Sequence, residues 1–334
     1  MTTVGIIGAG YWGPNLIRNF NQLSTIKYVA DLNDTALGKI NATYPKIKTT
    51  KDYNDILNDP EITAVIIATP EYTHYEIGMK FLNAGKHCFI EKPITLDSKE
   101  AEELAKLAKE KNLVLMTGHT FLYNEAVRYA KELIDSGELG DILYIRANRL
   151  SLGLFREHAN VLYDLGPHDI SIILYWLGAL PSRVAGTGGA HITPGMTDVA
   201  SFTLDFEDLN VQAFVQNSWI DPNKVRDTVI VGTKKMLVYD DMEPNEKIRI
   251  YDKKVEAPPH ADTFAEWQYS YHYGDILIPK INLKEPLRTE AQHFLDCIKN
   301  GEKPLSDGIN GYNVVKIIEA INKSIDDNGS FISL

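Results

Sequence analysis

Three side chains have the types and spacing that proton transfer to and from a hydroxyl group requires. Lys92 stands in Glu91-Lys92-Pro93 after an apolar run, and Asp164 and His168 are four residues apart. An ammonium group can hold a hydroxyl oxygen and stabilise negative charge on it. A neutral imidazole can accept the proton, and a carboxylate can orient the imidazole. The alternative is that Lys92 is a surface charge at a strand exit, that Asp164 caps a helix and that His168 is an ordinary buried histidine.

A glycine-rich turn near the N-terminus has the spacing of a phosphate-binding loop. Gly8, Gly10 and Gly13 form G-x-G-x-x-G directly after the apolar run 3–7, and a helical pattern follows. The first glycine allows a tight turn, the second lets the backbone approach a pyrophosphate, and the third lets the helix pack close to the strand. The free N–H groups at the start of that helix then face the phosphates.

The acid that a dinucleotide site requires follows the second strand. The apolar run 26–30 ends in Asp31, where a carboxylate can hydrogen-bond the adenosine ribose hydroxyls. Strand, glycine turn, helix, second strand and terminal acid together predict dinucleotide binding, which the glycine motif alone would not. Leu32, Asn33 and Asp34 follow, with no Lys or Arg beside them, so NAD is predicted over NADP.

The elements that position these groups indicate an α/β protein. Through about residue 120, strands and helices alternate, which predicts a doubly wound parallel Rossmann sheet with ligands at the carboxyl ends of its strands. Thr69-Pro70 and Glu91-Lys92-Pro93 fall at that edge. Pro93 restricts Lys92 to an extended conformation. We predict a dinucleotide-binding domain over 1–122.

The pattern changes after residue 122 and predicts an α+β domain over 123–334. A helix over 161–177 is expected to start near 162–166, because Pro167 is acceptable only in a first turn. Asp164 and His168 would then lie one turn apart on one face. Alternating runs predict a large, mostly antiparallel open sheet. Residues 252–286 look irregular, and two closing helices, 287–300 and 308–326, could pack back on the first domain.

Composition limits the class of protein. The 334 residues carry a net charge of −11, which argues against a nucleic-acid surface. No apolar segment is long enough for a membrane span, and the first strand begins too early for a signal peptide. Cys88 and Cys297 are far apart, as expected for free thiols, and no zinc-ligand cluster is visible. We therefore expect a cytoplasmic protein without a bound metal.

Four motifs spread across both halves resemble the glucose–fructose oxidoreductase / inositol dehydrogenase family, Gfo/Idh/MocA. They are Gly8-Ala9-Gly10-Tyr11-Trp12-Gly13, Ala68-Thr69-Pro70 with His74, Glu91-Lys92-Pro93 and 164–169 (Asp-Leu-Gly-Pro-His-Asp). The resemblance implies an NAD(P)-dependent sugar dehydrogenase or reductase in which Lys92, Asp164 and His168 are catalytic. It implies cofactor contacts from the first three motifs, including Tyr11, Trp12, Thr69, Pro70, His74, Glu91 and Lys92. It also implies pairing of subunits into homodimers or homotetramers.

One departure concerns the loop after the sixth strand. Many family members carry an arginine there, whereas this chain has Leu122 near that place, followed by Tyr123 as the candidate substrate contact. Other candidate substrate contacts are Arg149, Arg156 and His158, together with Asp164 and His168. An arginine cluster facing the cleft would suit a diphosphate-linked sugar, because guanidinium groups bind phosphate oxygens bidentately. Surface charge paired with local acids is the alternative for each arginine.

The sequence leaves several classes of substrate open. The run 150–154 with Arg156, and the tail 273–287, resemble family members that act at C3 of nucleotide-linked amino sugars. A free polyol such as inositol, or a simple sugar, is the first alternative, and a non-catalytic NAD-binding sensor is the second. The aromatic residues Phe264, Trp267, Tyr269, Tyr271, His272 and Tyr273 could stack on a nucleobase, close the cleft or fill a subunit interface.

Overall fold

The structure is a computed structural model that describes residues 2–256 and 269–334. Phe264 and Trp267 lie outside the described residues. The chain divides into two compact units. Unit 1 comprises Met1–Tyr123 and Lys284–Glu319, and unit 2 comprises Asn124–Leu283 and Ala320–Leu334. Residues 284–319, near the C-terminus, are therefore part of the unit that contains the N-terminal residues.

Unit 1 contains a parallel sheet. Its strands are β1 (Thr3–Ile7), β2 (Thr25–Ala30), β3 (Lys48–Thr50), β4 (Ala64–Ile67), β5 (His87–Glu91) and β6 (Leu115–Gly118). Within the described residues these six strands pair in the order β3-β2-β1-β4-β5-β6, every pair parallel. Strand order reverses between β1 and β4, and ligands bind at such a switch point in doubly wound sheets. The predicted Rossmann architecture is confirmed.

The strands of unit 1 form where the sequence is apolar, with one exception. All four residues of β4 are buried, as a sheet covered on both faces requires. The exception, β3, has the sequence Lys-Thr-Thr and is recognisable only through its pairing with β2. The connecting helices are α1 (Gly13–Leu23), α2 (Asp34–Thr43), α3 (Asn54–Leu57), α4 (His74–Asn83) and α5 (Ser98–Glu110).

Unit 2 contains a mixed, mostly antiparallel sheet, which confirms the predicted fold class. Its helices are α6 (Glu125–Asp135), α7 (Val161–Asp164) and α8 (Gly166–Leu177). Its strands are β7 (Ile142–Leu152), β8 (Arg183–Gly189), β9 (Val199–Phe206), β10 (Val211–Ser218), β11 (Ile220–Gly232), β12 (Met236–Asp240), β13 (Ile248–Glu256), β14 (Ser270–Leu277) and β15 (Ile332–Ser333). In the described part of the chain they pair in the order β14-β13-β12-β11-β7-β10-β9-β8-β15. Only β7 and β10 pair in parallel within that order.

Two expectations for unit 2 were wrong. Residues 252–286 were expected to be irregular, but β13 extends to Glu256 and β14 pairs with it. All eight residues of β14 are exposed, so this edge strand lacks the alternation of burial by which sequence patterns reveal strands. The helix expected over 161–177 is divided at Leu165 into α7 and α8. The ring of Pro167 removes the N–H that a continuous helix would bond to the carbonyl of residue 163.

The closing helices are α9 (Pro286–Asn300) and α10 (Gly308–Asp326). Phe294 of α9 packs edge-to-face against Phe20 and Phe89, with ring centroids 6.3 and 5.7 Å away. Edge-to-face packing is the favoured geometry of aromatic pairs in a core. Helix α9 is therefore part of the core of unit 1, whereas α10 passes from unit 1 to unit 2 after Glu319. Among the described helices, none combines the length and apolar character that crossing a bilayer demands.

Candidate active site

The three glycines after β1 differ in what surrounds them. Gly8 has φ +100°, and a Cβ there would lie 2.3 Å from the carbonyl oxygen of Ala68. A Cβ on Gly13 would lie 2.2 Å from the carbonyl oxygen of Gly8, whereas a Cβ on Gly10 would meet no atom within 4 Å. Gly8 and Gly13 therefore hold the turn and the helix start together. Gly10 faces open space, where the backbone can approach a pyrophosphate.

Asp31 connects the second strand with this glycine turn. One carboxylate oxygen accepts a hydrogen bond from the N–H of Ala9 (2.6 Å) and the other from the N–H of Asn33 (2.8 Å). The open space at Gly10 and the carboxylate beside it fit a dinucleotide, with Asp31 at the position of the adenosine ribose. When bound, NAD accepts or supplies a hydride at its nicotinamide ring.

The ribose end of this site contains one cation that the sequence did not indicate. Lys51 follows β3, and its Nζ lies 2.8 Å from a carboxylate oxygen of Asp34. The N–H of Asp31 donates to the carbonyl of Thr50, which brings the two strand ends together. The charge of Lys51 is paired with Asp34, so the prediction of NAD as the cofactor stands.

His74 ties two loops at the carboxyl edge of the parallel sheet. Its Nδ1 lies 2.9 Å from the carbonyl of Pro93, and its Nε2 lies 2.9 Å from the carbonyl of Thr69. The side chain is fully buried, and burial lowers the pKa of His74 despite these two contacts. Pro70 lies between Thr69 and the start of α4, and the Thr69 hydroxyl bonds that of Thr73 (2.7 Å). His74 thus fixes the loop that carries Lys92-Pro93, whose peptide bond is cis.

Glu91 joins the glycine turn to the lysine loop. Its Oε1 accepts the indole N–H of Trp12 at 2.8 Å, and its Oε2 accepts the backbone N–H of Lys92 at 3.2 Å. The carboxyl is 8% exposed, and burial raises its pKa to about 7, against the opposing charge of Lys92 and the two N–H donors. A Cβ on Gly118 would lie 3.0 Å from this carboxyl, so the glycine at the end of β6 makes room for it.

A second set of buried polar groups in unit 1 was missed by sequence reasoning. Glu290 of α9 is fully buried, accepts the hydroxyl of Thr120 (2.7 Å), and has its pKa raised well above the usual value by burial and by the charge of Glu91. His119, after β6, places its Nδ1 2.7 Å from Asn310. Burial is the main cause that lowers the pKa of His119 to about 4. Only the return of residues 284–319 to unit 1 brings Glu290 and Asn310 here.

In unit 2, His168 is the third residue of α8, which begins at Gly166 as Pro167 predicted. Asp164 is the last residue of α7, one residue before the break at Leu165. The side chain of Asn160 caps α7 by accepting the N–H groups of Leu162 and Tyr163. The alternative interpretation, in which Asp164 caps this helix, is therefore wrong. The Asp164 carboxylate has other partners.

The carboxylate of Asp164 bonds to an indole and to a guanidinium group. The Nε1–H of Trp219 donates to Oδ2 at 3.1 Å, and the Nε–H of Arg156 donates to Oδ1 at 3.3 Å. The Asp164 side chain is 14% exposed and that of Arg156 43%. Trp219, directly after β10, is buried and was not identified from the sequence, because a lone tryptophan at a strand end carries no motif.

The remaining candidate substrate residues lie in different surroundings. Arg149 is buried and forms a bidentate ion pair with Asp169, which also accepts the side-chain N–H of Asn217 at 3.0 Å. Tyr123 is fully buried in unit 1, with its hydroxyl 3.3 Å from that of Ser306. His158 is exposed, beside Glu157. Arg156 and His158 are thus accessible to a ligand, whereas Arg149 and Tyr123 lie in the interiors of their units.

Each unit thus brings together part of the predicted set. Unit 1 collects the glycine turn, Asp31, Thr69, His74 and the Glu91-Lys92 pair at the carboxyl edge of one sheet. Unit 2 collects Asp164 and Arg156 in one bonded group and places His168 in the first turn of α8.

Two family models match the chain. The model described as "Oxidoreductase family, NAD-binding Rossmann fold" matches residues 2–119, and the "GFO/IDH/MocA C-terminal domain" matches residues 127–238. The chain belongs to the GFO/IDH/MocA family, which confirms the resemblance and the NAD-binding class of its first domain.

Individual relatives differ in what they act on. UDP-N-acetylglucosamine 3-dehydrogenase from Acidithiobacillus ferrooxidans is 27% identical over 93% of both chains. Its solved structure has a TM-score of 0.79, covers 97% of this chain and 98% of its own, and is 25% identical. The NAD-dependent scyllo-inositol 2-dehydrogenase from Bacillus subtilis is 29% identical over 77% of this chain and 74% of its own.

A further relative matches over a shorter segment. The 2,7-anhydro-N-acetylneuraminate hydratase from Mediterraneibacter gnavus is 31% identical over 57% of this chain. The match spans 53% of that protein, so the shared segment covers about half of the relative's length. The relatives therefore agree on the family and differ in the reaction they catalyse.

Proposed function

We propose that this protein is an NAD-dependent oxidoreductase that transfers a hydride between nicotinamide and a secondary alcohol or ketone of a sugar. The observation that carries the proposal is the pairing of a dinucleotide cradle with a lysine at the same sheet edge. Glu91 bonds both Trp12 of the glycine turn and the N–H of Lys92. A non-catalytic NAD sensor does not require a lysine whose backbone is joined to the cofactor turn in that way.

Each chemical role is assigned to one side chain of the proposed active site. Lys92 polarises the sugar oxygen and stabilises the negative charge that develops on it. His168 takes the hydroxyl proton during oxidation and returns it during reduction. Asp164 binds an adjacent hydroxyl and fixes the orientation of the sugar.

The proposed substrate is a nucleotide-linked amino sugar that reacts at C3. Support comes from the relative with UDP-N-acetylglucosamine 3-dehydrogenase activity, which matches over nearly the full length of both chains. Arg156, which is partly exposed beside Asp164, and His158 supply side chains for the phosphates. The similarity to scyllo-inositol 2-dehydrogenase supports a free polyol as the second candidate.

We test the reaction by following NADH absorbance with a set of sugars that includes UDP-N-acetylglucosamine and scyllo-inositol. Turnover of the nucleotide sugar, with a higher KM in Arg156→Ala, supports the first candidate. Turnover of scyllo-inositol alone, unaffected by Arg156→Ala, supports the second. Tight NADH binding without turnover of any sugar would favour the sensor.

The role of Lys92 has a separate test. Lys92→Met should lower turnover by about a thousandfold or more, because the charge that stabilises the oxyanion is lost, while NADH affinity stays within a few fold. Lys99→Met, at an exposed position in the first turn of α5, is the matched control and should retain full activity. Wild-type turnover in Lys92→Met would remove this lysine from the mechanism.

The proposed setting is a homo-oligomer in the cytoplasm. Cys88 and Cys297 are both free and buried, in keeping with a reducing compartment. Helices α6 to α8 cover one face of the mixed sheet, whereas the other exposes apolar side chains, among them Tyr144 (40%) and Phe214 (42%). A second copy of the chain is the partner that we propose for this surface.

A further inference from the structure

We propose that Trp219 is a positioning residue that fixes Asp164 through its indole N–H and leaves Oδ1 of Asp164 as the atom that faces the substrate. This inference rests on the proposed function, because it assigns a task to Asp164 within that reaction. It concerns unit 2 alone, where every contact that carries it is found.

Trp219 and Arg156, which both donate to the Asp164 carboxylate, differ in how firmly they are held. Oδ2 accepts from the indole of Trp219, a side chain that is 1% exposed. Oδ1 accepts from Arg156 at a longer distance, and the Arg156 side chain is 43% exposed. The indole N–H is a donor only and cannot leave the interior without unpacking the ring, whereas an exposed arginine can exchange partners at small cost. A substrate hydroxyl can therefore replace Arg156 at Oδ1 but cannot replace Trp219 at Oδ2.

The indole of Trp219 is itself supported by the residues that follow β7. The carbonyl of Trp219 accepts the N–H of Gly153 at 2.9 Å, just past the end of β7. A Cβ on Gly153 would lie 3.0 Å from Cδ1 of the indole, so the glycine allows the chain to lie against the ring. Phe155 covers the same ring, with centroids 5.2 Å apart. The segment after β7 therefore packs against the indole, and Arg156 follows directly after the residue that covers the ring.

The backbone of Trp219 is hydrogen-bonded to the neighbouring hairpin of β8 and β9. Its N–H donates to the carbonyl of Asp198 at 3.0 Å. The Asp198 carboxylate is fully buried and accepts the backbone N–H groups of His191 and Ile192, each at 2.8 Å. The backbone N–H of Trp219 is thus bonded to Asp198, its ring packs against Phe155, and its indole N–H donates to Asp164.

Trp219 should affect the orientation of the Asp164 carboxylate more than the affinity for the substrate. Removing the indole N–H frees the Asp164 carboxylate to rotate, and a displacement of about 1 Å in such a group can cost roughly a hundredfold in rate. Removing Arg156 leaves Asp164 in place but takes away a positive charge near the substrate. Trp219 variants should therefore lower kcat, and Arg156 variants should mainly raise KM.

The first arm of the experiment does not need turnover. The chain has four tryptophans, so ¹⁵N-labelling of tryptophan gives up to four indole N–H resonances. Trp12→Phe, Trp176→Phe and Trp267→Phe identify three of them and thereby assign the fourth to Trp219. Asp164→Asn should shift the Trp219 resonance and leave that of Trp176, which donates to the carbonyl of Val127. An unmoved Trp219 resonance overturns the inference whatever the enzyme's substrate is. Asp164→Asn keeps the buried ring in place, so this arm holds even if Trp219→Phe folds poorly.

The second arm measures kinetics with whichever sugar the screen identifies. We expect Trp219→Phe to lower kcat ten- to hundredfold with NADH affinity unchanged, and Trp176→Phe, the matched buried control, to stay within twofold. In the Asp164→Asn background, Trp219→Phe should cause no further loss, because both changes act through one contact. If the losses in kcat from Trp219→Phe and Asp164→Asn add, or if Trp176→Phe lowers kcat equally, then Trp219 is an ordinary core residue and the inference is wrong. If no sugar reacts, the proposed function fails, and the resonance arm still decides the contact.

Discussion

Both candidate carboxylates outside the ribose site are bonded to a tryptophan indole. Trp12 donates to Glu91 in unit 1, and Trp219 donates to Asp164 in unit 2. An indole N–H can only donate, so it holds an ionised oxygen without competing for a proton. Two carboxylates of the predicted site are thus each held by a ring to which the proposed reaction assigns no chemical step.

Glu91 should give the folded protein a measurable pH dependence. Its pKa is raised from 4.5 to about 7, mainly by burial, so the folded state binds this proton more tightly than the unfolded chain. Stability therefore falls as pH rises from about 5 to 7.5, by about 2 kcal/mol from this group. Glu91→Gln keeps an acceptor for Trp12 and should flatten that slope in urea unfolding.

The control for this measurement is Glu61→Gln, which changes an exposed carboxylate. It should leave the slope of stability with pH as in the wild-type protein. A Glu91→Gln protein whose stability still falls by the wild-type amount would show that another buried acid, such as Glu290, is responsible.

At the scale of elements, helix α8 is joined to strand β7 by a buried ion pair. Nε and Nη2 of Arg149 lie 2.8 to 3.0 Å from the carboxylate of Asp169, and the two side chains are 5% and 3% exposed. Asp169 directly follows His168, so this pair fixes the first turn of α8 against the sheet. We interpret Arg149 as a residue that holds in place the helical turn carrying His168.

Breaking this pair should be costly. Arg149→Met leaves Asp169 buried without its counter-charge, so we expect a loss of about 3–5 kcal/mol in the free energy of unfolding. Arg18→Met is the control, because Arg18 of α1 pairs with Glu285 at the surface and is 44% exposed. That control should lose at most about 1 kcal/mol. Equal losses in the two variants would contradict the assignment.

At the scale of the whole molecule, the open face of the mixed sheet combines aromatic and polar side chains. Tyr144 and Phe214 lie on neighbouring strands with ring centroids 6.3 Å apart, and both are at least 40% exposed. Aromatic residues are enriched at interfaces between subunits. With a net charge of −11, random association of the chain is disfavoured, so a specific apolar surface is required for assembly.

Sedimentation velocity provides the test of this surface. The wild-type chain should sediment as a dimer or tetramer, and Phe214→Glu should shift it towards the monomer, because burying the new charge costs several kcal/mol. Leu209→Glu changes an equally exposed apolar residue in the turn before β10 and should leave the assembly unchanged. A monomeric wild-type protein would refute the proposed surface.

The sequence by itself determined the parts of this protein that depend on local chain geometry. The turn at Gly8, Gly10 and Gly13, the start of α8 at Gly166, one residue before Pro167, and the buried strand β4 follow from backbone restrictions and apolar runs within a few residues. The motifs around Lys92 and His168 also identified the family.

Tertiary structure alone decided which side chains became partners. Trp219 on Asp164, Asp169 on Arg149, Lys51 on Asp34 and Glu290 in unit 1 join residues between 17 and 170 positions apart. Such pairings depend on strand order and on where the chain returns, and no local pattern records them. The exposed strand β14 was not predicted for the same reason. It is stabilised by pairing with β13 although it has no buried face.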